Sequence, residues 1–235
     1  MGKTRIAGLL LLLGSMGTLA TPGLFAQEKS VAPGINDNFK KPDVAKYKET
    51  FEGESREIFK SREAIVAACQ IREGESIADV GAGTGLFSRL FAAKVGPKGT
   101  VQAVDIAQNF LDHIIKTSKD SGLTNIKTVL ANSKDSGLAT ESADLVFICD
   151  TYHHFEFPQR TLESLHRALK KEGRLVVIDF ERIEGKSREW TLKHVRAGRE
   201  VFQKEIETAG FERIDAKTPE GLAENYFLIF RKKGQ

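Results

Sequence analysis

The stretch Gly81-Ala82-Gly83-Thr84-Gly85 constrains this chain more than any other part of it. It follows the apolar run Ile77-Ala78-Asp79-Val80 and precedes Leu86-Phe87, which predicts a buried strand, a tight turn and a helix from about Thr84 to Lys94. Glycine at alternate positions permits positive φ, and the missing Cβ atoms let a ligand approach the backbone closely. The first turn of the helix points N–H groups that lack helical partners into the same space. A small polar ligand belongs there.

The next strand indicates which ligand. Thr100-Val101-Gln102-Ala103-Val104 ends in Asp105, about twenty residues beyond the turn. In a doubly wound sheet this puts a carboxylate at the carboxyl end of the neighbouring strand, where it can accept from both hydroxyls of a ribose. The turn itself reads Gly-x-Gly-x-Gly after an acid, Asp79, and not the Gly-x-Gly-x-x-Gly of dinucleotide enzymes. The segment Asp79 to Gly85, with Asp105 after it, resembles the motifs of class I S-adenosylmethionine-dependent methyltransferases. The resemblance runs from roughly Tyr47 to the C-terminus.

That resemblance implies an α/β, Rossmann-like class I methyltransferase fold, a mostly parallel seven-stranded sheet with an antiparallel C-terminal strand. It implies S-adenosyl-L-methionine as cofactor, with Asp79, Gly81, Ala82, Gly83 and Gly85 around the methionine part and Asp105 at the ribose. Asn132 and Ser133 match the positions that read the adenine amino group, although the family's usual Asp is missing there. Ile106 and Asp150 complete the expected cofactor contacts.

The rest of the chain agrees with alternating strands and helices. Gln108 to Ser121 is predicted helical, Ile126 to Ala131 a third strand, and Leu145-Val146-Phe147-Ile148-Cys149 a central strand buried on both faces. A helix opens at Pro158, and a fifth strand spans Arg174 to Phe180. The end of the chain, a helix from Gly198 to Ala209 and strands Phe211–Lys217 and Asn225–Arg231, does not repeat the half-fold expected of a dehydrogenase. An NAD-dependent oxidoreductase is disfavoured on that ground and by the turn spacing.

Residues 1–26 read as a secretory signal: Lys3 and Arg5, an apolar core over Ile6 to Leu13, and a small residue at Ala26, with cleavage after Ala20 as the alternative. The apolar core is broken by Gly14, Ser15 and Gly17, so no stable membrane span is expected after cleavage, and the protein is expected to be exported, periplasmic or secreted. Residues 27–54 form a polar leader and candidate lid, loose as far as Pro42 and with a short helix over Asp43 to Gly53. Tyr47, Phe51 and Arg56 are candidate lid residues; 55–235 is the methyltransferase domain, with a helix from Ser55.

Of 35 basic and 32 acidic residues, two basic and no acidic ones lie in residues 1–26, so the mature charge is near zero and no nucleic-acid partner is expected. Cys69 and Cys149 read as small buried residues, too few for a thiol chemistry such as arsenic methylation.

Chemistry is expected after the fourth strand, at Asp150-Thr151-Tyr152-His153-His154, which matches the family segment facing the transferred methyl. The Asp-x-Tyr-His-His form resembles a subgroup of small exported methyltransferases. His154, His153 and Tyr152 are the candidate catalytic residues. In an extended segment His154 shares a side with Asp150 and Tyr152 and is favoured as base for an acceptor that must lose a proton. No metal is expected, because the pair has neither His-x-x-x-His spacing nor neighbouring cysteines. His194, Arg196 and Trp190 are further candidates for the pocket, and His113 and His166 for the surface. The function implied is methyl transfer to a small molecule, quinone-like, phenolic or amine, by in-line displacement. A non-catalytic nucleoside-binding module stays open, since an exported protein leaves the compartment where the cofactor is made.

Overall fold

The computed structural model describes residues 1–2 and 27–234, so the expected secretory signal lies, but for its first two residues, outside them. Strands β1 (Ser76–Val80), β2 (Thr100–Asp105), β3 (Ile126–Leu130), β4 (Ala143–Cys149), β5 (Leu169–Phe180), β6 (Phe211–Lys217) and β7 (Asn225–Lys232) form one sheet. Its order is β3-β2-β1-β4-β5-β7-β6. The first five strands run parallel, and β7 pairs antiparallel with both β5 and β6. This is the expected class I arrangement.

Successive side chains of the central strands point to opposite faces, and both faces are covered. Ala78, Val80, Val146 and Ile148 pack on one side, where α6 (Pro158–Ala168) and α8 (Arg199–Thr208) supply Leu162, Leu165, Phe202 and Ile206. Ile77, Leu145, Phe147 and Val176 face the other side, against α3 (Arg62–Ala68) and α4 (Leu86–Val95). Burial on both sides is why β4 is almost uninterruptedly apolar.

Two crossovers leave from β1 and β4 in opposite directions along the sheet, so the order reverses between these neighbours. A crevice opens outside their carboxyl ends. The glycine turn follows β1 and the histidine segment follows β4. The topology brings together motifs about seventy residues apart in the chain.

Three expectations are corrected. Gln27 to Pro42 is not loose: Val31 N donates to Glu156 O at 2.9 Å and Asn36 Nδ2 to His154 O at 3.0 Å, so this polar stretch is held by groups beside the crevice. The helix expected from Ser55 is two, α2 (Glu57–Lys60) and α3, divided at Ser61. Strand β5 starts at Leu169, which pairs with Ala143 before the register shifts. The short helix after Asp43 is present as α1 (Val44–Phe51), its first turn capped by the Asp43 carboxylate accepting from Ala45 N and Lys46 N. Among the described residues no helix is long and apolar enough to cross a membrane.

Candidate functional site

A cavity of about 400 Å³ fills the crevice, bounded by the glycine turn, the ends of β2 and β4, and the segment before α2. Gly81, Gly83 and Gly85 all have positive φ, +75°, +54° and +81°. Their roles differ. Gly81 and Gly83 line the cavity, whereas Gly85 does not. A Cβ at Gly85 would lie 2.7 Å from Ile114 Cγ1, so this glycine lets α5 (Gln108–Asp120) pack against the turn. Gly85 is corrected from a cofactor contact to a packing position. Ala82 lies on the cavity wall, with its N–H donating to Val104 O.

Asp105 is almost fully buried and also lines the cavity. Its Oδ2 accepts from Gly83 N at 2.8 Å and its Oδ1 from Ala107 N at 2.9 Å. Burial raises its pKa, against the lowering effect of these backbone donors. Each carboxylate oxygen accepts more than one hydrogen bond, so both keep capacity toward the cavity. Ile106 stands beside it, 38% exposed at the cavity mouth. Asn132 and Ser133 line the far end, but Asn132 Oδ1 already accepts from Lys134 N and Asp135 N. The oxygen expected to read an adenine amino group therefore closes a turn.

Asp79 is buried and its Oδ2 accepts from Ser88 Oγ at 2.6 Å. Burial pushes its pKa from 3.8 up to about 7; the Ser88 hydrogen bond opposes this and the Asp105 charge adds to it. A carboxyl that holds its proton more tightly when folded favours the folded state at low pH. Its contribution is complete below about pH 4 and is lost as pH rises towards about 7. The stability advantage of wild type over Asp79→Asn is thus expected to fall by up to about 1.4 kcal/mol per pH unit across that window. Urea unfolding of both proteins from pH 4 to 8 checks this; parallel profiles would show that Asp79 titrates normally.

Asp150, at φ +47°, is engaged by protein groups. Its Oδ2 accepts from Arg56 Nη2 at 2.5 Å and its Oδ1 from Asn225 Nδ2. The carboxylate expected at the cofactor lines the cavity, and it also anchors Arg56, which ties the N-terminal segment to the sheet. Glu52 makes a second tie, accepting from Thr84 Oγ1 at 2.8 Å and Arg89 Nη2 at 2.9 Å. Tyr47 and Phe51 line the cavity between these ties.

The histidine segment departs most from expectation. Tyr152–His154 is a 3-10 turn, not an extended stretch, so the alternation argument fails. Tyr152 points into the core, donating to Glu205 Oε2 at 3.0 Å, and does not line the cavity; it is corrected from catalytic to structural. Both histidines line the cavity instead. His153 is buried, with Nδ1 2.8 Å from Asp179 Oδ1 and its backbone N–H donating to Asp179 Oδ2 at 3.0 Å. Burial disfavours its charged form, but the adjacent Asp179 carboxylate outweighs this and raises its pKa. His153 Nε2 is buried without a partner among the described residues.

His154 Nε2 lies 3.4 Å from Nε2 of His194, which α7 (Glu189–His194) brings to the cavity. Burial, then the neighbouring histidines, lowers the His154 pKa to about 3. A ring held neutral to that pH is a weak base, so the preference for His154 over His153 is reversed.

Asp179 escaped sequence reading, although a lone carboxylate between Ile178 and Phe180, on the strand beside β4, was a usable signal. Trp190 lines the cavity and stacks on His194 at 4.7 Å. Arg196 does not line it; it pairs with Glu205 at 2.6 and 2.8 Å. His113 and His166 are half-buried on outer helices. Cys69 and Cys149 are both free, and burial pushes the Cys69 thiol up to about 12.

Residues 71–221 match the methyltransferase domain family. A ubiquinone/menaquinone biosynthesis C-methyltransferase, UbiE, of Haemophilus ducreyi is 32% identical over 113 residues, 48% of this chain and 44% of that protein. The chain thus spans less than half the length of this curated relative. A SAM dependent methyltransferase from Aquifex aeolicus superposes with a TM-score of 0.70 at 22% identity, covering 81% of this chain and 98% of that one. A putative sarcosine dimethylglycine methyltransferase from Galdieria sulphuraria gives 0.61 at 14% identity, over 74% and 85% of the two chains. At these identities the two structures show a shared fold.

Proposed function

The chain belongs to the methyltransferase domain family, and from that premise we propose that it transfers the methyl group of S-adenosylmethionine to a small molecule held at the histidine end of its cavity. One observation carries the reading: a single cavity joins the glycine turn and Asp105 to His153, His154 and His194. The residues present fit the cofactor. Gly81 and Gly83 present backbone to the cavity, the missing Cβ of Gly81 making room for Thr151, and Asp105 keeps hydrogen-bonding capacity for ribose hydroxyls while its backbone contacts hold it in place. When bound, S-adenosylmethionine supplies an electrophilic methyl group on a positively charged sulfur.

The protein's part is mainly alignment, which can account for most of the acceleration of a displacement. Phe39, Phe180 and Trp190 offer aromatic walls near the histidines. Together with the quinone C-methylation named for the Haemophilus relative, they favour a hydroxylated aromatic ring as acceptor. With Nδ1–H donated to Asp179, His153 presents the Nε2 lone pair to the cavity, and this atom receives the acceptor's hydroxyl proton. Residues 27–54 belong to the proposal as the cover of the site.

Export belongs to the same proposal, supported by the basic, apolar and small-residue order of residues 1–26. The intact mass of protein recovered from its producing cell is then expected to begin at Gln27.

Calorimetric titration tests the central reading. Micromolar binding of S-adenosylmethionine and its demethylated product, with no response to NAD, is expected. Labelled methyl transfer should follow on a panel of hydroxylated aromatics. Preference for NAD would overturn the reading, as would silence towards the first two. Binding without transfer to any acceptor would favour the non-catalytic module.

A further inference from the structure

We propose that His153, His154 and His194 form a site for one divalent cation of the zinc type, with an open coordination position facing the cavity. One ring nitrogen from each residue lies within 4.8 Å of the other two. His154 Nε2 and His194 Nε2 are 3.4 Å apart. Tetrahedral zinc with bonds of about 2.0–2.1 Å separates neighbouring nitrogens by about 3.3–3.4 Å. One pair therefore already has the required spacing, and the third nitrogen lies within 4.8 Å of both.

His153 supplies the independent observation. The residue is 1% exposed, and Nε2 has no partner among the described residues. Nδ1 is held by Asp179, whose carboxylate is itself fixed by the N–H groups of His153 and Phe180. This carboxylate–histidine unit fixes the tautomer and aims the free nitrogen, as the outer shell of a metal site does. A direct hydrogen bond between His154 and His194 would satisfy one nitrogen of each ring but leave His153 Nε2 unpaired. A cation satisfies all three.

The donor set selects the ion class. Imidazole nitrogens without oxygen ligands suit zinc, copper, nickel or cobalt and not magnesium or calcium. Three protein ligands with a vacant direction towards a cavity is the pattern of a zinc site that takes water or substrate as its fourth ligand. All three histidines line the cavity, so an acceptor hydroxyl oxygen has access to that direction. Once coordinated, the hydroxyl loses its proton to solvent water more readily, and its oxygen stays on the ion. In the loaded protein His153 is thus a ligand, and proton capture at its Nε2 is confined to the metal-free form. This role rests on the methyltransferase reading; cation binding does not.

Untagged full-length protein, stripped with a chelator, is titrated with Zn²⁺. Uptake of one ion per chain with micromolar or tighter affinity is expected, weakened at least 100-fold by His194→Ala. Asp179→Asn should weaken it about 10-fold to 100-fold. His166→Ala, on an outer helix, should leave it unchanged. S-adenosylmethionine titration of His194→Ala separates a lost ligand from a misfolded chain. Cobalt(II) gives the visible absorption of a tetrahedral complex in the unsubstituted protein, a readout that needs no variant. Absence of stoichiometric uptake and of that spectrum overturns the site, as does uptake that His194→Ala leaves within threefold. Zinc uptake without S-adenosylmethionine binding would instead overturn the methyltransferase reading and leave the cation site standing.

Discussion

Asp105→Ala is expected to lower affinity for S-adenosylmethionine by at least about 100-fold, the largest single effect on the cofactor side. A hydrogen bond to a charged group contributes about 1.5–3 kcal/mol, so losing two ribose contacts accounts for that factor or more. The substitution also frees Gly83 N and Ala107 N, both bound to the carboxylate. It therefore loosens the turn as well as removing a ligand contact. Asp105→Asn separates the two effects: one amide oxygen can keep a backbone donor, while the charge is lost. A smaller loss of affinity is expected there, with a melting profile near wild type. Calorimetric titration of folded Asp105→Ala decides the case. Affinity within threefold of wild type would remove Asp105 from the ribose site.

His153→Ala is expected to lower kcat by about 100-fold or more, within the range for removing a positioned proton acceptor. Cofactor affinity should stay within about threefold, because the glycine turn and Asp105 make no hydrogen bond to this ring. The buried Asp179 loses its ring partner in this variant, so some stability is lost too. His153→Asn, which keeps a donor for Asp179, guards against reading a folding failure as a catalytic one. Added imidazole should restore part of the rate in His153→Ala, a rescue that a purely structural role would not show. Asp179→Asn, acting through the ring, should lower kcat about tenfold with little change in KM. Unchanged turnover in His153→Ala would place the chemistry elsewhere in the cavity.

These two residues also differ in how readily the sequence disclosed them. Asp105 was legible because everything that defines it is local: a strand, its end, and a spacing of about twenty residues from a glycine turn. The carboxylate fell where the spacing placed it, and both cavity-lining glycines came with it. His153 was legible as a residue type, but its role was not. The preference for His154 assumed extended backbone, and a 3-10 turn redistributed the side chains: Tyr152 to the core, both histidines to the cavity. Gly85 and Asp150 carry the same lesson. Each sits where a motif would put it, yet Gly85 meets Ile114 and Asp150 meets Arg56, partners about thirty and ninety residues away.

By itself the sequence determined the alternation of strands and helices, the glycine turn, the carboxylate that ends β2 and the family. Periodicity, strand-end chemistry and short spacings are properties of contiguous residues, and they survive without knowledge of distant contacts. Only the tertiary structure decided which groups share the cavity. It set Asp179 behind His153, brought His194 to His154 across forty residues, and laid Asn36 on the histidine segment. Those contacts follow from where parallel strands reverse their order and from how α7 and the N-terminal segment pack over that point. Packing of this kind is a sum over non-local neighbours, and no window of the chain contains it.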